Sequence, residues 1–591
     1  MDRSGSMESG RSWLRFLRLN QHVRLYVLAI FIGLLVAYGA IGFRELIDLV
    51  QIVLMGFSGE DVASQAANQP WWRIMIAPII GGLVVAAMLR VFMKDHRALG
   101  IADVIAANAI SNTRMSFRQG MASAVISATS MGAGASTGRE GPIVHLGATL
   151  ASSAAERMRL SPSQGRTLLG CGVAAAVAAS FNAPIAGVFF ALEVVLGHYA
   201  LRAFAPIVMA SVVGTLVTRA HYGNFPAFII PEYAIVSFWE FPAFVLLGAV
   251  CAVAAILFTR SVFLVEDGMK KYVPLPRWSH PVLGGLLVGM IAVFYPHILG
   301  VGYEATDAAL REQLPLTLML TLIVLKTAAT AISLGSGFGG GVFSPSLFVG
   351  AMTGSAYGII ASMVFPELAA SHGLYAIVGM GALAGAVLGA PISTFLIVFE
   401  LVADYELSIA VMVATATASL IMSQSYGRSF FQKQLERRGL DLRGGRAGHV
   451  LQTLPVGDVM TTDYRTVGED ENLTQLRVKL ALSPHGTVFV RSTEGVFTGQ
   501  IAPHDIDETT FADDTGDLIR VADIAHPAQQ ILFETDNLQK ALSIMDVTHE
   551  DHIPVLDDPD SRQIVGILHH RDALSAYNRA LLDERREEHG D

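Results

Sequence analysis

The sequence predicts an all-α polytopic membrane body built from broken helices, followed by a soluble α/β tail. Three observations lead there. Of 591 residues, 52% are hydrophobic and only 16% charged. Apolar runs near the length that crosses roughly 30 Å of hydrocarbon recur from Tyr26 to about Met422. The charge balance then changes sign: residues 451–591 carry 27 acidic and 11 basic side chains, net −16, against net +6 for the rest. So acidic a tail behind a mildly basic body argues against nucleic acid as a partner.

Residues 1–24 form an N-terminal segment. Its Arg3, Arg11, Arg15, Arg18 and Arg24 precede the first apolar run and place this end in the cytoplasm by the positive-inside rule. No cleavage site follows that run, so it reads as a span and not as a secretory leader. The body covers residues 25–440. Its longest runs are Tyr26–Phe43, Ile74–Leu89, Phe241–Phe258, Pro281–Tyr295 and Leu316–Ile332, the last interrupted by Lys326. Other segments are short, broken by Gly or Pro, and rich in Ala and Ser. Small residues let helices approach closely, a pattern that suits a transporter or channel. Cys171 and Cys251 lie in Ala/Val-rich segments and read as unpaired buried thiols.

Four broken segments carry the functional argument. Gly138-Arg139-Glu140-Gly141-Pro142 sets a carboxylate and a guanidinium between glycines inside an apolar stretch. A charge at membrane depth costs about 3 kcal/mol on insertion scales, so it ordinarily faces a pore or a partner. Pro142 suits the first turn of a helix, whose free N–H groups and positive dipole end would point at whatever Glu140 occupies. This is an anion site with a built-in anionic competitor. Ala98–Val104 is a short turn into an apolar helix. Phe181–Val194 holds a helix opened by Pro184 and ending in Glu193. Leu334–Ser346 is dense in glycine, which lets backbone amides approach a ligand, and Pro345 marks another helix start. Helix starts of this kind can converge on an anion near the midplane.

Blander roles are expected for the other polar groups. Arg139 and Glu140 could form a structural ion pair. Glu193 reads as a structural charge, Glu400 and Asp404 as helix-end hydrogen-bonding groups, and His145 as a packed helix residue. No nucleophile–base pair, P-loop, zinc spacing or haem motif is visible, so neither enzymatic activity nor a cofactor or metal is expected.

Taken in order, Gly138–Pro142, Phe181–Gly187 and Gly340–Pro345 resemble the CLC family of chloride channels and chloride/proton exchangers, over about Leu25–Gly439. The resemblance implies a homodimer in the lipid bilayer, one anion pathway per subunit, and an inverted internal repeat in each membrane domain. It makes Glu140 the gating glutamate, displaced when it protonates or swings away. It places Leu99, Gly100, Ile101, Gly138, Arg139, Gly141, Val342, Phe343 and Phe431 along the anion path, with the amides of Val342 and Phe343 at the central site.

Three departures from the family pattern matter. Leu99 stands where many members have serine, leaving only backbone N–H groups there. Phe431 stands where they often have tyrosine, with Tyr426 the neighbouring candidate for that role. Val194 stands where many exchangers have an inner proton-relaying carboxylate. Two lost donors, each normally contributing on the order of 1 kcal/mol, imply weak central binding and relaxed preference among chloride, nitrate and bicarbonate. The expected function is transport of chloride or a related small monovalent anion past Glu140. Proton-coupled exchange, tight or loose, is favoured over an uncoupled, gated channel. The expected location is the cell (inner) membrane, with both termini cytoplasmic.

A linker at 441–452 leads to two similar modules with a period of ~65 residues. The first, at 453–515, opens Val456-Gly457-Asp458-Val459. The second, at 516–591, opens Val521-Ala522-Asp523-Ile524 and continues through Ile564–Asp572. They resemble a CBS-domain pair, a regulatory module common on CLC proteins. Nucleotide-binding pairs carry Gly, a hydroxyl residue and Asp near the end of each repeat. Gly499 with Asp505 and Gly566 with Asp572 match, but Ala502 and His569 occupy the hydroxyl positions. A structural, dimer-supporting role is therefore favoured over adenine-nucleotide binding. CBS pairs also accompany divalent-cation transporters, the remoter reading. Few intramembrane carboxylates and many glycine-opened helix starts favour anions.

Overall fold

The computed structural model describes residues 21–589 except 112, 200, 224–227, 229–232, 234, 236–237, 367–370, 403, 441–450, 453, 484–485, 503–518, 529 and 549. The chain forms two units, Met1–Leu440 and Asp441–Asp591. The first is helical. Its earlier half contains α1 (Gln21–Met55), α2 (Val62–Ala67), α3 (Trp71–Phe92), α4 (Ile101–Ala109), α5 (Phe117–Gly132), α6 (Glu140–Arg157), α7 (Pro162–Phe181), α8 (Pro184–Phe190) and α9 (Leu201–Tyr222). Its later half contains α10 (Phe241–Tyr272), α11 (His280–Phe294), α12 (Tyr303–Leu310), α13 (Leu316–Ser336), α14 (Phe343–Val364), α15 (His372–Leu388), α16 (Pro391–Val402), α17 (Tyr405–Ser425) and α18 (Phe430–Glu436). Among the described residues, eight helical stretches are long and apolar enough to cross a membrane.

Local sequence explains where helices break. Ser161 caps α7 by accepting from the Gln164 N–H, with Pro162 in the first turn. Asn182 then adopts left-handed backbone (φ 60°) and ends α7, and Pro184 starts α8 two residues later. Peripheral helices turn large apolar side chains outward, as at Phe31, Leu264 and Val324. The inner helices α6, α7, α14 and α15 are buried almost throughout. Glycine allows that. A Cβ on Gly147 would lie 2.4 Å from the Gly172 carbonyl oxygen, and one on Gly350 2.5 Å from that of Gly379. Thus α6 meets α7, and α14 meets α15, backbone to backbone. Both cysteines are buried free thiols, and the Lys326 ammonium is satisfied by the carbonyls of Ile298 (3.0 Å) and Gly300 (2.8 Å).

The internal repeat is plainest in α8 and α16. Each opens Ala-Pro-Ile, at 183–185 and 390–392, and each places a glutamate nine positions after its proline, Glu193 and Glu400. Glu400 accepts from the N–H groups of Ile185 (2.9 Å) and Ala186 (2.7 Å) at the start of α8. Glu193, in the wider helical turn 191–196 that continues α8, accepts from Ile392 (3.2 Å) and Ser393 (2.7 Å) at the start of α16. The two helices therefore run antiparallel, each capped by the other's carboxylate. Both residues have the structural role expected of them, and Asp404 likewise caps α17 through the Leu407 N–H (2.8 Å).

The second unit holds two three-stranded sheets. In the first, β1 (Thr466–Gly468) pairs parallel with β2 (Val488–Arg491), which pairs antiparallel with β3 (Phe497–Ile501). In the second, β4 (Leu532–Phe533), β5 (His552–Leu556) and β6 (Ile564–His569) repeat that pattern. The helices α19 (Leu473–Ala481), α20 (Val521–Ile524), α21 (Leu538–Thr548) and α22 (His570–His589) complete the unit. The repeats exchange their openings. Val456, ahead of the first sheet, is buried in the second repeat's core with Leu532 and Val555, and Val521 lies in the first's with Val467 and Val488. Cores built this way cross the sequence division at 515/516, because each apolar opening is buried only against the other repeat.

Glu400→Ala is expected to destabilise the protein by about 1–2 kcal/mol, the usual cost of a lost helix cap. Glu193→Ala should cost about the same. The double substitution should cost less than the two together, because both caps serve one helix pair. Unfolding midpoints in detergent check this.

Candidate functional site

Two glycine segments distant in sequence are stitched together here. The Gly138 N–H donates to the Gly341 carbonyl (2.8 Å), and the Gly341 N–H donates to the Gly138 carbonyl (2.7 Å). A Cβ on Gly141 would lie 3.2 Å from the Gly341 Cα, and one on Gly340 would lie 2.2 Å from the Thr137 hydroxyl. These approaches bring the start of α6 against the start of α14. Glu140 lies at that junction, only 1% exposed.

The Glu140 carboxylate is held on one side and open on the other. Oε1 accepts from the Tyr303 hydroxyl (3.1 Å) and from the Ser344 hydroxyl (2.5 Å). Oε2 is buried without a hydrogen-bond partner. It rests against the Gly138 α-carbon: a Cβ there would lie 2.8 Å from Oε2 and 3.1 Å from the Ser344 nitrogen. Phe343 and Ser344 open α14, so their N–H groups have no acceptor within the helix.

Arg139 turns the other way. Its guanidinium donates to Glu60 (2.9 Å), which also pairs with Arg44 (3.0 Å), and lies 4.8 Å from the centre of the Tyr303 ring. The blander alternative, an ion pair with Glu140, is not what Arg139 forms; its partner is Glu60, from the loop between α1 and α2. Arg139 lines a crevice of about 60 Å3 together with Arg44, Asp48, Glu60 and Tyr303. Gly141, two residues on, lines a different and larger cavity of about 280 Å3. The two sequence neighbours of buried Glu140 thus line two separate cavities.

The larger cavity collects most of the other expected site residues: Leu99, Gly100, Ile101, Val342 and Phe431 all line it. Five basic side chains (Arg97, Lys270, Arg277, Arg437, Arg438) and three acidic ones (Asp95, Asp103, Glu266) share that lining, an electropositive balance. Phe431 faces the cavity, and Tyr426 does not; it lies beside Arg260 instead. Phe343 is packed behind the wall against Phe181, with ring centres 4.9 Å apart.

Two expected backbone donors are already engaged. The Leu99 N–H donates to the Ser123 hydroxyl (2.8 Å), and the Gly100 N–H to Asp103 (2.9 Å). Gly138 spends its N–H on the bridge. The N–H groups of Leu99, Gly100 and Gly138 therefore leave the donor set, as does the Arg139 guanidinium, and Ile101, Gly141, Val342 and Phe343 remain in it. Val194 is part-buried apolar filler in the turn after α8. His145 is a buried residue of α6, as expected. Tyr303, Ser344 and Glu60 join the site only in the fold: Ser344 lies inside the glycine-dense segment 334–346, whereas Tyr303 and Glu60 carry no local signal. In the second unit, Asp572 lies in the first turn of α22 and Asp505 lies outside the described residues. No group of His, Cys, Asp and Glu suited to a metal occurs among the described residues.

Comparison with known proteins accords with this architecture. A family model described as "Voltage gated chloride channel" matches residues 81–423, and one described as "CBS domain" matches residues 521–579. A ClcB-like chloride channel protein of Ralstonia nicotianae is 32% identical over 410 residues, covering 69% of this chain and 95% of that protein. Chloride channel protein CLC-e of Arabidopsis thaliana is 30% identical over 428 residues, 67% of this chain and 59% of that one. In backbone, a slow cyanobacterial Cl−/H+ antiporter superposes with a TM-score of 0.63 at 23% identity, covering 70% of this chain and 98% of that one. A eukaryotic CLC transporter gives 0.61 at 17% identity, covering 93% and 98%. At these identities the structural likeness bears on the fold alone.

Restoring a hydroxyl to the larger cavity should strengthen anion binding there. Leu99→Ser and Phe431→Tyr are each expected to tighten chloride binding about fivefold, the value of one net hydrogen bond. Calorimetric titration of each variant against the unsubstituted chain checks this.

Proposed function

Because the chain belongs to the CLC family of chloride channels and chloride/proton antiporters, we propose that it moves chloride or a related small monovalent anion along a path gated by Glu140. The carrying observation is the carboxylate itself: it is buried between residues that line two separate cavities, at the start of α14, with one oxygen partnerless. While ionised it occupies the place an anion needs. Once protonated or displaced it leaves, and the N–H groups of Phe343 and Ser344 are available to the anion. The electropositive cavity draws anions toward that point from the Leu99 side.

Proton coupling follows from the same group. Val194 cannot relay a proton, and the neighbouring Glu193 is committed to capping α16. The larger cavity, however, reaches Gly141, one residue from Glu140, so water entering there can deliver protons along the anion's own route. A shared route makes the coupling loose. Val194 supports a second reading, an uncoupled gated channel with Glu140 as gate only.

The protein works in the cell (inner) membrane as a homodimer with both termini cytoplasmic. The part-exposed apolar Ile185 and Ile392, beside the reciprocal caps, suit contact with a second copy. The CBS pair supports this assembly and does not bind adenine nucleotides, since its two hydroxyl positions hold Ala502 and His569.

Glu140→Gln is expected to abolish proton movement while chloride flux survives, read from paired flux in proteoliposomes with voltage clamped by valinomycin. Proton movement unchanged in that variant would refute coupling through Glu140. Titration of the full chain with ATP, ADP or AMP should show no heat, and saturable heat would restore the nucleotide reading.

A further inference from the structure

The hydroxyl donors missing from the larger cavity reappear at Glu140. Tyr303 comes from the start of α12 and Ser344 from the first turn of α14, and both donate to the same carboxylate oxygen. Their positions are fixed independently of that oxygen. The Tyr303 ring lies between the Arg139 guanidinium, 4.8 Å from its centre, and the edge-on Phe228 ring at 4.9 Å. Ser344 follows Phe343, whose ring packs on Phe181. Two preplaced O–H donors thus meet a carboxylate whose other oxygen has no partner, and the Ser344 nitrogen lies on the same side of Gly138 as that oxygen. In the larger cavity, by contrast, the N–H groups of Leu99 and Gly100 are spent on Ser123 and Asp103.

We propose that Tyr303 and Ser344 form a two-donor latch that holds the ionised Glu140 in the pathway and, once Glu140 leaves, donates to the transported anion. The Glu140 position, not the larger cavity, is then the principal anion site of this chain. The inference rests on the anion-pathway reading above. Carboxylate and halide compete for the same donors, since each offers negative charge to N–H and O–H groups and neither needs the other present. The latch also slows departure of the carboxylate, so it sets turnover as well as affinity.

The test titrates the full-length Glu140→Ala variant, in which the position is vacated, with bromide by calorimetry. Adding Tyr303→Phe or Ser344→Ala, each of which deletes one oxygen, is expected to weaken bromide binding about fivefold. In the chain with Glu140 intact, Tyr303→Phe should raise maximal chloride flux and also the chloride concentration giving half of it. A merely structural defect would lower maximal flux. Bromide affinity unchanged by both substitutions overturns the proposal while leaving the anion pathway standing. Loss of bromide binding in Glu140→Ala, with no chloride flux through the unsubstituted chain, overturns the pathway and the latch together.

Discussion

The backbone bridge between Gly138 and Gly341 is the contact on which the site depends. Two N–H···O bonds join segments about two hundred residues apart, and they require residues without side chains because the chains touch at Cα distance. The bridge sets the start of α6 against the start of α14. With the backbones held there, the Glu140 carboxylate is buried beside the start of α14, where its Oε1 accepts from the Ser344 hydroxyl. The same requirement governs the larger frame, where glycines bring α6 to α7 and α14 to α15. Close backbone approach is how a membrane protein gains packing without a hydrophobic driving force between its helices.

Polar groups are then distributed with little to spare. Several helix starts are closed by side chains: Glu400 and Glu193 cap α8 and α16, and Asp103 covers the Gly100 amide at the start of α4. Lys326 is quenched by two carbonyls, and Arg139 is drawn to Glu60. The start of α14 has no side-chain cap, and the buried Glu140 carboxylate beside it has one oxygen without a partner. On the proposed reading, the anion competes with Glu140 for that uncapped start.

Much of this was legible in the sequence because glycine and proline leave local marks. The motifs at 138–142, 181–187 and 340–345 named the helix breaks, and Glu140 stood out as a charge among apolar residues. The roles of Glu193, Glu400 and Asp404 followed from their place at helix ends. Other features depend on contacts that no local pattern encodes. Ser123 reaches Leu99 from α5, and Glu60 takes Arg139 from a loop; neither position looks special alone. Tyr303 reads as one more aromatic until the fold brings it to Glu140. In the tail the ~65-residue repeat was visible, yet the exchange of Val456 and Val521 was not, because a repeat shows similarity and not which copy packs on which.

The central claim is that the Glu140 carboxylate and the transported anion compete for one position. Anomalous scattering from bromide-soaked crystals of the unsubstituted chain and of Glu140→Ala would address it most directly. The account predicts a bromide peak beside the Ser344 amide in Glu140→Ala and none there while the carboxylate is in place. Equal peaks at that point in both proteins, or a peak in neither, would contradict it.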